Sequence, residues 1–181
     1  MSAMRSFLAA FTVSSLAFLA VGLAPAIGQQ TSALRGHNSN APVNVAADRI
    51  EVQDRADRAV FSGNVVATQA EMTLTAPRVT VAYARSGGVQ IERIDAAGGV
   101  TVRSPSETAT GQFGIYDLNA RLITLVGGVT LTQGQSHVNG ARLVIDLNTG
   151  RAVMDGGGPP GTKSSGGRVT GTFTVPQRKT S

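Results

Sequence analysis

Val60-Phe61-Ser62-Gly63-Asn64-Val65-Val66-Ala67-Thr68-Gln69 opens a pattern that returns at Gly98-Gly99-Val100-Thr101-Val102 and again at Gly127-Gly128-Val129-Thr130-Leu131. Thirteen residues on from the first glycine of each copy stand Ala76, Gly111 and Gly140, and the copies close at Tyr83-Ala84, Leu118-Asn119 and Leu147-Asn148. Each copy reads as strand, turn, strand. A repeat of roughly thirty residues built from alternating apolar and polar positions means stacked β units that bury one shared face.

Successive strand residues point to opposite faces, so the alternation also assigns the faces. In the first strand of each copy the inward positions are Val65 and Ala67, Val100 and Val102, and Val129 and Leu131. Their neighbours Val66, Thr68, Thr101, Arg103, Thr130 and Thr132 form the outer face. In the second strands Val79, Val81 and Tyr83, then Gly114, Tyr116 and Leu118, then Leu143, Ile145 and Leu147 face inward, and Ile50 and Val52 fit the same register. The polar, glycine-rich stretch 107–114 marks a thin or open part of the wall.

Stacked strands that stop leave rows of unpaired N–H and C=O groups, which invite another strand to pair. Head-to-tail self-association by β-augmentation follows as an expectation, with natural capping of the ends as the alternative.

Of 181 residues, 22 are Gly, two are His and none is Cys or Trp. That is enough for one moderate domain with a small-aliphatic interior, and it excludes a disulfide framework or a thiolate metal site. Residues 1–28 have a short basic start, an apolar stretch from Phe7 to Leu23 and small residues at Ala24, Ala26 and Gly28, the layout of a cleaved signal peptide. A retained anchor is the alternative. A place outside the cytoplasm is expected in either case. Cleavage after Gly28 leaves 15 basic and 11 acidic side chains, a formal charge of +4. An anionic lipid, glycolipid or envelope polymer suits that charge; nucleic acid does not, because basic clusters interleaved with aromatics are missing.

Residues 29–42 read as a flexible leader with a solvated His37, 43–155 as the β domain, 156–168 as a Gly/Pro/Ser linker, and 169–181 as a terminal strand with a basic tail. No catalytic residue, metal site or cofactor is expected. The closest approach to an acidic cluster, Asp48, Glu51, Asp54 and Asp57, is interleaved with Arg49, Arg55 and Arg58 and reads as a solvated strand end and turn. His137 has no second His or Cys nearby to complete a metal site.

The opening Ala47-Asp48-Arg49-Ile50-Glu51-Val52, the core Val60 to Gln69, the segment Leu74-Thr75-Ala76-Pro77-Arg78-Val79-Thr80-Val81 and the run Ile94-Asp95-Ala96-Ala97-Gly98-Gly99-Val100-Thr101-Val102 together resemble the OstA-like, LptA/LptC superfamily over residues 43–155. Signal peptide and size favour its LptA branch over the LptC branch, which keeps a membrane helix, and over LptD, which adds a large barrel. The resemblance implies an antiparallel β-jellyroll, slightly open along one side, whose apolar interior shelters the acyl chains of lipopolysaccharide. It further implies units stacked end to end between an LptC-like inner-membrane subunit and an LptD-like outer-membrane translocon. Candidate lipid-binding positions are the inward Ile50, Val52, Phe61, Val65, Met72, Leu74, Val79, Val81, Val100, Leu131 and Ile145. A structural β-repeat module of the envelope and an LptC-like anchored subunit remain the alternatives.

Overall fold

Val, Ile, Thr and aromatic residues at every second position favour extended chain, because branched side chains pack well on a pleated, half-buried surface. The computed structural model describes residues 34, 37–85, 87–157 and 167–174. Within them the order is β1 (Val43–Ala46), β2 (Arg49–Gln53), β3 (Arg58–Gln69), β4 (Met72–Ala84), β5 (Gln90–Arg103), β6 (Glu107–Asp117), β7 (Leu122–Gln133), β8 (Ser136–Asp146), β9 (Arg151–Asp155) and β10 (Thr170–Thr172), with a short 3₁₀ turn at Asp54–Ala56. The strands β3 to β8 pair antiparallel in chain order. One edge carries β1 and β2 end to end on β3, and the other carries β10 and β9 end to end on β8. The sheet does not close on itself.

The repeated glycine pairs lie inside strands rather than between them, so each copy opens mid-strand. At Gly63-Asn64, Gly98-Gly99 and Gly127-Gly128 all six residues have positive φ, a conformation that costs an L side chain roughly 1 to 2 kcal/mol. The ladder shifts register there: two residues of β3 face Pro77 alone between the pairs Ser62↔Arg78 and Val65↔Ala76, and two of β7 face Ala141 between Val126↔Arg142 and Val129↔Gly140. These are β-bulges, and a bulged strand bends. Asn64 tolerates its place because its amide donates to Asp48 Oδ2 at 2.9 Å.

The row of bulges bends one sheet into two facing walls. Segments 58–62, 78–84, 90–97, 113–117, 122–126 and 142–146 join β2 and β9 in the first wall; 65–69, 72–76, 100–103, 107–111, 129–133 and 136–140 join β1 and β10 in the second. A single core lies between them and includes Val65, Leu74, Val79, Val100, Leu125 and Leu143. The result is the expected antiparallel β-jellyroll. Residues 1–28, read as a signal peptide, lie outside the described residues, as does most of the linker.

Candidate functional site

Register lines up the inward side chains in continuous rows across the strands. On the first wall one row runs Ile50, Phe61, Val79, Ala96, Gly114, Leu125, Leu143, Met154, and a second runs Val52, Ala59, Val81, Ile94, Tyr116, Ile123, Ile145, Ala152. On the second wall Val45, Ala67, Leu74, Val102, Ala109, Leu131, Val138 and Gly171 form the facing row. Every member but Tyr116 lacks a polar side-chain atom. The interior is therefore an apolar track along the length of the jellyroll, perpendicular to the strands.

Of the candidate positions, Val65, Met72, Leu74, Val79, Val81, Val100 and Ile145 are buried in this track, and Phe61 and Leu131 pack against it half-buried. Ile50 and Val52 stand apart. They hold the inward register, but they are 56% and 57% exposed, because β2 is an edge strand and, among the described residues, no further strand pairs beyond it. Alternation fixes the face of a residue; it does not say whether another wall covers that face.

The walls meet closely at the centre. A Cβ built on Gly114 would sit 3.0 Å from Leu125 Cδ2 and 3.1 Å from Val100 Cγ1, so the absence of a side chain lets Val100 of the second wall reach the first. In the stretch 107–114, expected to be thin or open, Glu107, Ala109, Gly111 and Gly114 are buried, while Gln112 and Phe113 at the bulge are exposed. Between Met72 and Leu74 on one wall and Ile94 and Tyr116 on the other remains a void of about 10 Å³, which is at the limit for one water molecule.

Opposite the bulges, the free rims of the two walls form a lateral seam, and polar groups close it. Tyr116 donates its hydroxyl to Gln69 Oε1 at 2.9 Å, first wall to second. Gln69 Nε2 donates to the backbone oxygens of Ser39 and Ala41, each at 3.0 Å. His37 corrects the expectation of a solvated side chain. Its ring is fully buried, with Nδ1 3.0 Å from Glu71 Oε1 and Nε2 3.1 Å from Gln69 Oε1. A neutral imidazole carries one N–H, so both contacts are hydrogen bonds only in the doubly protonated ring. Leu34, from the same leader, is buried in the core. No local pattern announces this arrangement, since the partners of His37 are 32 and 34 residues away in sequence.

Electrostatics follow the geometry. A hydrogen bond from its own backbone amide, and then the His37 contact, hold the Glu71 carboxyl below its ordinary value. Burial pushes the Tyr116 phenol up. The acids around β2 serve local structure: Arg85 pairs with Asp54 and Asp57 at 2.8 Å each, and Asp48 receives the Asn64 amide. Among the described residues no group of three His, Cys, Asp or Glu is placed to hold a metal.

Comparison with known proteins agrees with this architecture. Residues 44–151 match the family model described as LptA/(LptD N-terminal domain) LPS transport protein. An uncharacterized protein of Rhizobium meliloti (strain 1021) is 32% identical over 87% of this chain and 84% of its own. The lipopolysaccharide export system protein LptH of Pseudomonas aeruginosa is 25% identical over 75% of this chain and 83% of its own. The crystal structure of LptH, titled as the LptA-homologous periplasmic component of the lipopolysaccharide transport device, superposes with a TM-score of 0.67 at 20% identity, covering 77% of this chain and 99% of that one.

Proposed function

The chain belongs to the LptA/LptD N-terminal-domain family of LPS transport proteins, and on that premise we propose that it is the periplasmic carrier that holds the lipid A acyl chains of lipopolysaccharide between its two walls. The observation that carries this reading is the set of uninterrupted apolar rows running from one edge of the jellyroll to the other. Sheltering acyl chain from water is worth roughly 0.8 kcal/mol per methylene. Successive rungs of similar chemistry let a chain slide without leaving a deep well. Carriage of this kind needs no catalytic group.

A void of about 10 Å³ does not admit an acyl chain, so loading separates the walls. The rows end at exposed side chains, Ile50 and Val52 on one edge. A second unit stacked there continues the track, and the same logic applied to the terminal contacts gives an LptC-like donor and an LptD-like acceptor. Export by a cleaved signal peptide over residues 1–28 places the carrier in the compartment between them.

A photoreactive residue at Val81, which is buried in the second row, tests the carrier reading, with outward Thr80 as control. Lipopolysaccharide adducts at Val81 and none at Thr80 are expected. Equal labelling at both, or none at either, overturns it in favour of a β-repeat module with a structural role.

A further inference from the structure

The described part of the leader, Leu34 and residues 37–42, does more than precede the domain: it packs into the seam. Beside it lies a groove of about 320 Å³ lined by leader residues Ala41 and Pro42, by Val89, Ile91 and Leu118, and by Val43 and Gln69. Val89 is 71% exposed there. Val43 and Gln69 also line the void between the walls, so the outer groove and the interior track share these two side chains.

Gln69 is held in that position by four contacts, from Tyr116, His37 and the backbone at Ser39 and Ala41, and three of the four come from the leader. Arg121 reaches the leader at Asn40, the residue between the groove-lining Ser39 and Ala41. Its guanidinium donates to two neutral oxygens, Asn148 Oδ1 and Asn40 Oδ1, each at 3.2 Å. The nearby carboxylates are engaged by their own turns: Asp117 accepts from the Ala120 amide, and Asp146 from the Asn148 and Thr149 amides. Among the described residues no carboxylate lies within ion-pair distance of Arg121.

We propose that this seam is a lateral port for an anionic amphiphile, in which the phosphate displaces Asn40 from Arg121, an acyl chain lies in the groove, and Gln69 with residues 37–42 is the gate to the interior. The chemistry is economical. A phosphate offers Arg121 charge-assisted hydrogen bonds, which are stronger than those to an amide oxygen. Losing the Asn40 contact loosens the leader whose backbone holds Gln69, and release of Gln69 joins groove to track. Arrival of the headgroup is thereby coupled to opening of the path for the chain.

The proposal rests on the carrier reading, and the test separates the two. Photoreactive residues are placed singly at Val89 in the groove and Val81 in the interior of the otherwise intact mature chain. Each is exposed to phosphorylated lipopolysaccharide and to the same lipid stripped of its phosphates, in the wild-type background and with Arg121→Gln. Arg121 hydrogen-bonds to Asn148 and Asn40 on exposed turns, so the variant also frees Asn40, and Val81 labelling by dephosphorylated lipid should be no weaker in it than in the wild type. Expected are adducts at both positions, with the Val89 yield for phosphorylated lipid falling about tenfold in Arg121→Gln and the yield for dephosphorylated lipid unchanged. Labelling at Val81 with Val89 silent would mean entry by the ends and would overturn the port while leaving the carrier. Labelling at Val89 that ignores Arg121→Gln would overturn the headgroup role. Silence at both positions would remove port and carrier together.

Discussion

The hydroxyl of Tyr116 and the side-chain oxygen of Gln69, 47 residues apart in sequence, meet at 2.9 Å and tie the first wall to the second across the seam. Neighbouring strands in each wall are joined by many ladder bonds, but the rims are joined by few groups. The seam should therefore depend on individual side chains in a way the sheet does not.

Tyr116→Phe keeps the ring and removes one hydrogen bond, an expected loss of about 1 kcal/mol. Gln69→Leu removes the acceptor shared by Tyr116 and His37 and the donor to two backbone oxygens. Each buried group left unpaired costs about 1 to 3 kcal/mol, so this variant should lose clearly more. Urea midpoints with unchanged m-values measure both. Equal losses would mean that Gln69 does not organise the seam.

The bulges make a second ordering. At Gly128, φ is +61° and a Cβ would meet nothing within 4 Å, so Gly128→Ala carries only the left-handed strain of about 1 to 2 kcal/mol. At Gly127, φ is +85° and a Cβ would lie 2.8 Å from Gln112 Cβ on β6. Gly127→Ala should therefore destabilise by more than Gly128→Ala in thermal unfolding. The reverse order would mean that the bend does not depend on close approach of β6 and β7.

Stability should fall at both ends of the pH scale, for different groups. The Glu71 carboxyl is depressed by its backbone amide and His37, and Asp146 by the amides of Thr149 and Asn148. Depressed acids stabilise above their unfolded values, about 4, and that contribution is lost as pH falls through the lower folded values. Tyr116, raised by burial, acts at the other end. Its contribution is complete below about pH 10, the unfolded value, and is lost as pH rises through the higher folded one. Urea midpoints against pH should show a shallower acid limb in Glu71→Gln/Asp146→Asn and a shallower alkaline limb in Tyr116→Phe. An unchanged limb in either variant rejects that group's part.

Local chemistry wrote the strands and their faces into the chain, because period-two alternation acts over a few residues; the glycine pairs mark where each copy opens, but alternation does not show that they are bulges inside continuous strands. Val65, Val100 and Val129 face inward as their spacing requires, each opposite the small residue of its copy, Ala76, Gly111 or Gly140. What alternation cannot carry is long-range placement. That the bulges bend a single sheet into two walls depends on their alignment across six strands. That Leu34 and His37 fill a seam depends on Gln69, Glu71 and Tyr116, which no spacing links to them. Ile50 and Val52 have the right face and the wrong exposure for the same reason: cover is a property of neighbours in space.

Those two residues give the last test. Leu143 and Ile145 lie in the same two rows as Ile50 and Val52 but are covered on every side. Leu143→Ala should cost about 2 to 5 kcal/mol, the loss of transfer energy plus a cavity. Ile50→Ser and Val52→Ser remove side chains already facing water, so their stability should stay within about 0.5 kcal/mol of the parent. If the rows continue into a stacked second unit, the exposed pair should instead govern association. Sedimentation at rising concentration should then show larger species for the parent and for a weakened but folded Ile145→Val, and monomer for Ile50→Ser/Val52→Ser. On the opposite edge Phe173, 53% exposed beside β10, should behave like Ile50 if the same contact uses both ends. An Ile50→Ser/Val52→Ser double variant that assembles as the parent does would locate the junction elsewhere and leave the exposed row ends as lipid contacts only.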